Sequence, residues 1–259
     1  MFLTEPRLPQ APLRIVSLVP SITELLYDLE LEAATAGITK FCVHPPHWFQ
    51  TKPRVGGTKT IHLDRLESLQ PDLVIANKEE NIREQVEAIA ARFPVWLTDV
   101  NNLTDACRMI RDIGSLTNRT QPAETLAHSI EQSFAGYQPL QRRKAVYLIW
   151  RDPYMTVGAD TFIHDMLERA GWVNAFADLT RYPEITVTDI RNRQPDLLLL
   201  SSEPYPFANK HITKLKQDLP DTAIQLVDGE VFSWYGSRLR FSVPYFQQLN
   251  EGLSQQFGV

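Results

Sequence analysis

The chain has 259 residues, 43% apolar and 22% charged, the composition of a globular protein that can bury real cores and far from that of a disordered chain. At roughly 100 to 200 residues per domain, this length predicts two domains. The net charge of −5, from 26 basic and 31 acidic residues, gives no electrostatic basis for a nucleic-acid partner, which a clustered basic surface would need.

The two cysteines, Cys42 and Cys107, make neither a disulfide framework nor a CxxC pair. No stretch approaches the roughly 18 consecutive apolar residues of a membrane-spanning helix. The opening MFLTEPRLPQAPLRIV places Glu5, Pro6, Pro9 and Pro12 where a secretory leader needs basic residues and then an unbroken apolar run. As the chain stands, a cytoplasmic location is expected. Neither the GxGxxG nor the GxxxxGKS/T phosphate loop occurs; Val55-Gly56-Gly57-Thr58-Lys59 has the spacing of neither.

In chain order, a strand is predicted over 14–19. Ser21 and Glu24 then have the S-x-x-E spacing of a capping box, and Ile22, Leu25, Leu26 and Leu29 repeat as one buried helix face. The run Cys42-Val43-His44-Pro45-Pro46-His47 is the one place where thiol and imidazole gather, making Cys42 and His44 the candidate metal ligands. Against this, the two prolines forbid a helical histidine pair, and an isolated Cys or His more often packs than ligates. Gln70-Pro71-Asp72-Leu73 ends a helical turn and opens an apolar strand. Ile82, Val86, Ile89 and Phe93 mark a helix, Val95–Thr98 a strand, and Ala106, Met109, Ile110 and Ile113 a further helix. Thr120 as a cap, Pro122 in the first turn, and Ala123, Leu126, Ala127, Ile130, Phe134 and Tyr137 at helical spacing predict a rod of about eighteen residues and some 27 Å.

The second half repeats the first. A strand is predicted over 145–150, Gln194-Pro195-Asp196-Leu197 returns 124 residues after its first copy and again opens an apolar strand, and Ala223–Val227 matches the Val95 strand. The repeat predicts two α/β lobes, 1–118 and 143–259, each a small parallel sheet flanked by helices, with a connecting helix within 119–142.

The run 14–25, then Val55-Gly56-Gly57, then Leu63-Asp64-Arg65-Leu66 through Leu69-Gln70-Pro71-Asp72-Leu73-Val74-Ile75, resembles the helical-backbone (class III) substrate-binding proteins of bacterial ABC importers. These receptors bind cobalamin, ferric siderophores or haem. The resemblance spans about residues 13–253 and implies two Rossmann-like lobes joined by a single long helix, with ligand held in the cleft between them and no chemistry done on it. It places Phe41 where cobalamin-binding relatives carry a stacking aromatic and Asn77 where they carry a tryptophan. It also implies a periplasmic location if a leader is missing, and an ABC permease partner. The acidic docking residue expected on each lobe falls at Asp64 and, beside Thr188, at Asp189. Asp64 and Thr188 are also good N-cap types.

Open α/β sheets bind ligands beyond the carboxyl ends of their strands. The segments that follow the second-half strands are rich in aromatics and arginine: Trp150-Arg151-Asp152-Pro153-Tyr154, Glu203-Pro204-Tyr205-Pro206-Phe207 and Phe232-Ser233-Trp234-Tyr235-Gly236-Ser237-Arg238. Trp150, Tyr205, Trp234 and Tyr235 suit stacking on a flat macrocycle or catecholate, and Arg151 and Arg238 suit its negative charge. After the Leu73 strand, Asn77 and Lys78 open a polar run able to hold a charged group, or merely the solvated first turn of a helix. The ligand expected is a cobalt or iron chelate, with no covalently held cofactor. An intracellular protein or enzyme handling a metal or tetrapyrrole on the same fold is the alternative. No nucleophile, base and orienter converge in the pattern; His164 and Asp165 are neighbours on a helix and do not face one another.

Overall fold

The computed structural model describes residues 1–139 and 142–257. Positions 140–141, near the end of the expected connecting segment, and 258–259, at the end of the expected second lobe, lie outside them. The chain divides into two compact units. The first comprises 1–100, 104–132 and 234–240; the second comprises 101–103, 133–233 and the chain from Phe241 on.

In the first unit, β1 (Ile15–Ser17), β2 (Thr35–Gly37), β3 (Leu73–Asn77) and β4 (Val95–Thr98) form a parallel sheet in the order β2-β1-β3-β4. Around it lie α1 (Pro20–Asp28), α2 (Pro46–Thr51), α3 (Leu63–Ser68), α4 (Arg83–Ala90) and most of α5 (Leu103–Leu116). Helix α6 (Thr120–Gly136) begins in the first unit and ends in the second. Thr120 is its first helical residue rather than the cap expected of it.

In the second unit, β5 (Arg143–Leu148), β7 (Trp172–Asn174), β9 (Leu197–Ser201) and β10 (Ala223–Val227) form a parallel sheet in the order β10-β9-β5-β7. Between them in sequence are α7 (Phe162–Arg169), α8 (Val187–Arg193) and α9 (Asn209–Asp218), and a small antiparallel pair, β6 (Tyr154–Met155) with β8 (Glu184–Ile185). Helices α10 (Gly229–Ser233) and α11 (Ser242–Phe257) close the chain. With β5, β7, β9 and β10 set against β1, β2, β3 and β4, the two strand orders are identical, as the duplicated sequence predicts. β3 and β9 are buried along their whole length, as strands covered on both faces must be.

The repeated Gln-Pro-Asp does the same work twice. Gln70 (φ 45°) and Gln194 (φ 47°) adopt the left-handed conformation that ends α3 and α8. The aspartate then caps the start of the neighbouring central strand. Asp72 accepts the backbone N–H groups of Leu13 and Arg14 at 2.7 and 2.9 Å, and Asp196 accepts that of Lys144 at 2.8 Å.

Other capping expectations fail as well. Ser21 and Glu24 do not cap α1: its N-cap is Val19, Pro20 stands at the first helical position, and Glu24 turns elsewhere. Nor are Asp64 and Thr188 N-caps; His62 and Thr186 occupy those places, two residues earlier.

Candidate functional site

In the first unit, the loop that follows β2 is anchored by a buried polar cluster. The Thr23 hydroxyl contacts Ser17 Oγ at 2.9 Å and Cys42 Sγ at 3.1 Å, and Thr39 Oγ1 lies 3.2 Å from the same sulfur. Cys42 is fully buried, and burial pushes its thiol pKa up, away from the thiolate a metal would need. His44 packs edge-on against Trp234, with ring centroids 5.4 Å apart. Among the described residues, no group of three or more His, Cys, Asp or Glu side chains is placed to hold a metal ion. The anchored loop presents Phe41, 50% exposed, with Lys40 Nζ 5.0 Å from its ring centroid. A side chain at Gly57 would come within 3.1 Å of that ring, so the bare backbone there leaves room for it.

Asn77 is fully buried and spends its amide inside the fold. Its Nδ2 donates to Thr98, and its Oδ1 accepts the N–H groups of Glu79 and Glu80. Asn81 continues the network, accepting Asn77 N–H and donating to Leu18 and Thr58 carbonyls. Lys78 is exposed and ion-paired with Asp99 at 2.8 Å.

Trp234, Tyr235 and Arg238 follow β10 in sequence but belong to the first unit. Trp234 is only 7% exposed, and Tyr235 is buried too. Arg238 sits 5.0 Å from the Trp234 ring and grips Glu24 with two hydrogen bonds of 2.8 Å. Burial raises the Glu24 pKa even though Arg238 opposes the shift. The sequence held a sign of this role in an acidic residue on a buried helix face, but the capping-box spacing offered a local use for it.

In the second unit, the segments after β5 and β9 meet. Trp150, 40% exposed, packs edge-to-face on Tyr205 with centroids 5.7 Å apart. Arg151, next to Trp150 in the chain, has its Nε 3.5 Å from the Asp152 carboxylate, and its charge, after burial, helps lower the His211 pKa. Phe207 and His211 support the Tyr205 ring at 4.8 and 5.5 Å. His211, at the third position of α9, escaped sequence analysis because its role depends on a fold back to the preceding loop. The candidates thus fall into groups: Phe41 with Lys40, Trp234 with Arg238, and Trp150, Arg151 and Tyr205 together. His164 and Asp165 part company, the first contacting Asn174 at 3.2 Å and the second accepting from Leu103 N–H and Arg169.

Asp64 lies exposed in the first turn of α3. Asp189 completes a capping box with Thr186, whose N–H and hydroxyl it accepts at 2.8 and 2.6 Å. No helix among the described residues is long and apolar enough to cross a membrane.

Comparison with known proteins agrees with this architecture. The vitamin B12-binding protein of Vibrio cholerae is 24% identical over 213 residues, covering 79% of this chain and 75% of that one. The ABC transporter substrate-binding lipoprotein YvrC of Bacillus subtilis is 28% identical over 201 residues, covering 73% of this chain and 63% of its own. Among solved structures, the periplasmic vitamin B12-binding protein BtuF of Vibrio cholerae superposes with a TM-score of 0.79 at 20% identity, covering 95% of this chain and 99% of that one. The periplasmic heme-binding protein RhuT of Roseiflexus reaches 0.77 at 23% identity, covering 93% and 98%. The family description "Periplasmic binding protein" matches residues 15–222, which take in both duplicated sheets except β10, and the chain belongs to that family of ligand-binding proteins.

Proposed function

We propose that this protein is the substrate-binding component of an ABC importer and that it holds, unchanged, a metal chelate or tetrapyrrole-type ligand of the cobalamin, siderophore or haem class. The observation that carries this reading is the Trp150–Tyr205–Arg151 surface. It sets an exposed indole face against a phenol, with the guanidinium on the next residue of the chain, at the carboxyl edge of a parallel sheet, where such sheets take ligands. The Phe41 loop of the first unit supports it with a second exposed ring beside a cation. A flat ring stacks on such faces, and the cations answer its acidic substituents. The relatives named as B12-binding, heme-binding and ABC transporter substrate-binding proteins are in keeping with this ligand class. In that role the protein works outside the cytoplasmic membrane, with Asp64 and Asp189 turned to a permease.

The test is direct titration of the purified protein with cyanocobalamin, haemin and a ferric hydroxamate, read by quenching of tryptophan fluorescence, alongside mass spectrometry of whatever co-purifies. Saturable one-to-one binding of at least one of the three is expected. If none binds, the reading is wrong.

A further inference from the structure

The surroundings of Tyr205 determine where its hydroxyl proton goes. His211 is buried, and its Nδ1 accepts the backbone N–H of Ala208 at 2.8 Å. A ring nitrogen that accepts a hydrogen bond carries no proton, so the neutral imidazole holds its proton on Nε2. That Nε2 lies 3.3 Å from Tyr205 Oη. The contact therefore runs in one direction, with His211 donating and Tyr205 accepting. Burial first, then the charges of Arg151 and Lys210, lower the His211 pKa and keep the ring neutral at pH 7; Asp152 opposes them. Arg151, whose guanidinium has donors only, offers the phenol no acceptor either. Trp150, Phe207 and His211 all pack on the Tyr205 ring and hold it in place. Tyr205 Oη thus receives the His211 hydrogen bond, and neither His211 nor Arg151 can accept its own proton. The Asp152 carboxylate engages Arg151 Nε at 3.5 Å.

We propose that His211 is a positioning residue which leaves Tyr205 as a committed hydroxyl donor, and that Tyr205 selects ligands presenting a carboxylate beside the ring that stacks on Trp150. This rests on the reading above that the surface binds a chelate or tetrapyrrole. Replacing Tyr205 by phenylalanine would leave an aromatic shelf without that selection.

Two measurements test it, the first without ligand. A two-bond proton–nitrogen correlation spectrum of the histidine rings at pH 7 is expected to show His211 protonated on Nε2 alone; the other tautomer, or a doubly protonated ring, overturns the assignment. The second compares haemin, with two carboxylates, against its dimethyl ester, with none. Tyr205→Phe is expected to bind haemin about ten-fold more weakly than the parent and the ester equally well, the effect of one hydrogen bond to a charged acceptor. His211→Leu should weaken haemin binding in the same selective way, and His211→Gln, which retains an N–H donor, should recover part of the loss. Unchanged haemin affinity in Tyr205→Phe, or equal losses for haemin and ester, overturns the proposal. If the parent binds cyanocobalamin or the hydroxamate but not haemin, the carboxylate selection is wrong and the broader reading stands. If it binds none of them, both fall.

Discussion

Arg238 holds Glu24 in a paired grip, Nε to Oε2 and Nη2 to Oε1, each 2.8 Å, although 214 positions separate the two residues. Both side chains are mostly buried, so the pair is a fixture of the first unit rather than a surface contact. One turn away on α1, both carboxylate oxygens of Asp28 accept from Arg240 Nη2, at 3.0 and 3.1 Å. Together they pin residues 234–240 to α1. Removing one member of a buried pair strands the other charge, at a cost of about 3 kcal/mol or more. Arg238→Met is therefore expected to lower unfolding stability steeply at pH 7. At pH 4 the stranded Glu24, whose pKa burial already raises, takes up a proton, and the loss should shrink. Urea unfolding at the two pH values measures it; equal losses at both would show that Glu24 is not the group left exposed to the penalty.

Glu80 supplies a second pH-dependent term, of the opposite sign to the usual carboxylate. Burial raises its pKa, Lys59 only partly opposing and Glu79 adding to the shift. The folded state thus binds this proton more tightly than the unfolded chain. Its contribution to stability is full below the ordinary value of 4.5 and is lost as pH rises through the higher folded value. Glu80→Gln, which cannot ionise, should be more stable than the parent at pH 7, with the advantage gone below about pH 4. A constant difference across that range would contradict it.

Local pattern carried the architecture in this sequence. The Gln-Pro-Asp copies were legible because each combines a helix stop with an apolar strand, and the helical periods survived wherever one face is buried, as in α1 and α5. The short strands β2 and β7, three residues each, lack the length for any period to show. The site was legible only in part. Exposed Trp150 stands out in sequence because rings follow the predicted second-half strands, whereas Phe41 is placed only by the family resemblance. Whether a ring faces solvent, as Trp150 does, or packs on His44 and Arg238, as Trp234 does, depends on distant partners. The same holds for Asn77, whose polar run looks like a binding loop until its amide is seen satisfied within the fold.

That contrast separates two tryptophan variants. Trp150→Ala removes a ring that is 40% exposed, and its stability cost should be small while affinity for the stacked ligand falls several-fold, the share of an aromatic contact worth roughly 0.5 to 1.5 kcal/mol. Trp234→Ala empties a buried position beside His44 and Arg238 and should cost about 3 kcal/mol or more of stability. Thermal melts and probe titrations on both proteins check the pair. A reversed pattern, with Trp150→Ala unstable and Trp234→Ala merely weak in binding, would show the wrong ring assigned to the surface.

Asp64 and Asp189 differ in how free they are to meet a permease arginine. Asp64 lies exposed on α3, while the Asp189 carboxylate already accepts the N–H and hydroxyl of Thr186. Those hydrogen bonds hold the Asp189 pKa below the usual carboxylate value. The cap's contribution is accordingly present above 3.8 and declines as pH falls through the lower folded value. An arginine approaching Asp189 has to share a carboxylate whose geometry the cap dictates, whereas at Asp64 it meets one with full freedom to form a bidentate pair. Capture by a cobalamin-type or siderophore-type permease at low ionic strength, where surface charge pairs are least screened, is therefore expected to fall further with Asp64→Ala than with Asp189→Ala. Asp189→Ala should instead appear in the melt, through loss of the α8 capping box. If capture depends on Asp189 and is indifferent to Asp64, the docking contact runs through the cap itself, and the ranking of the two carboxylates is inverted.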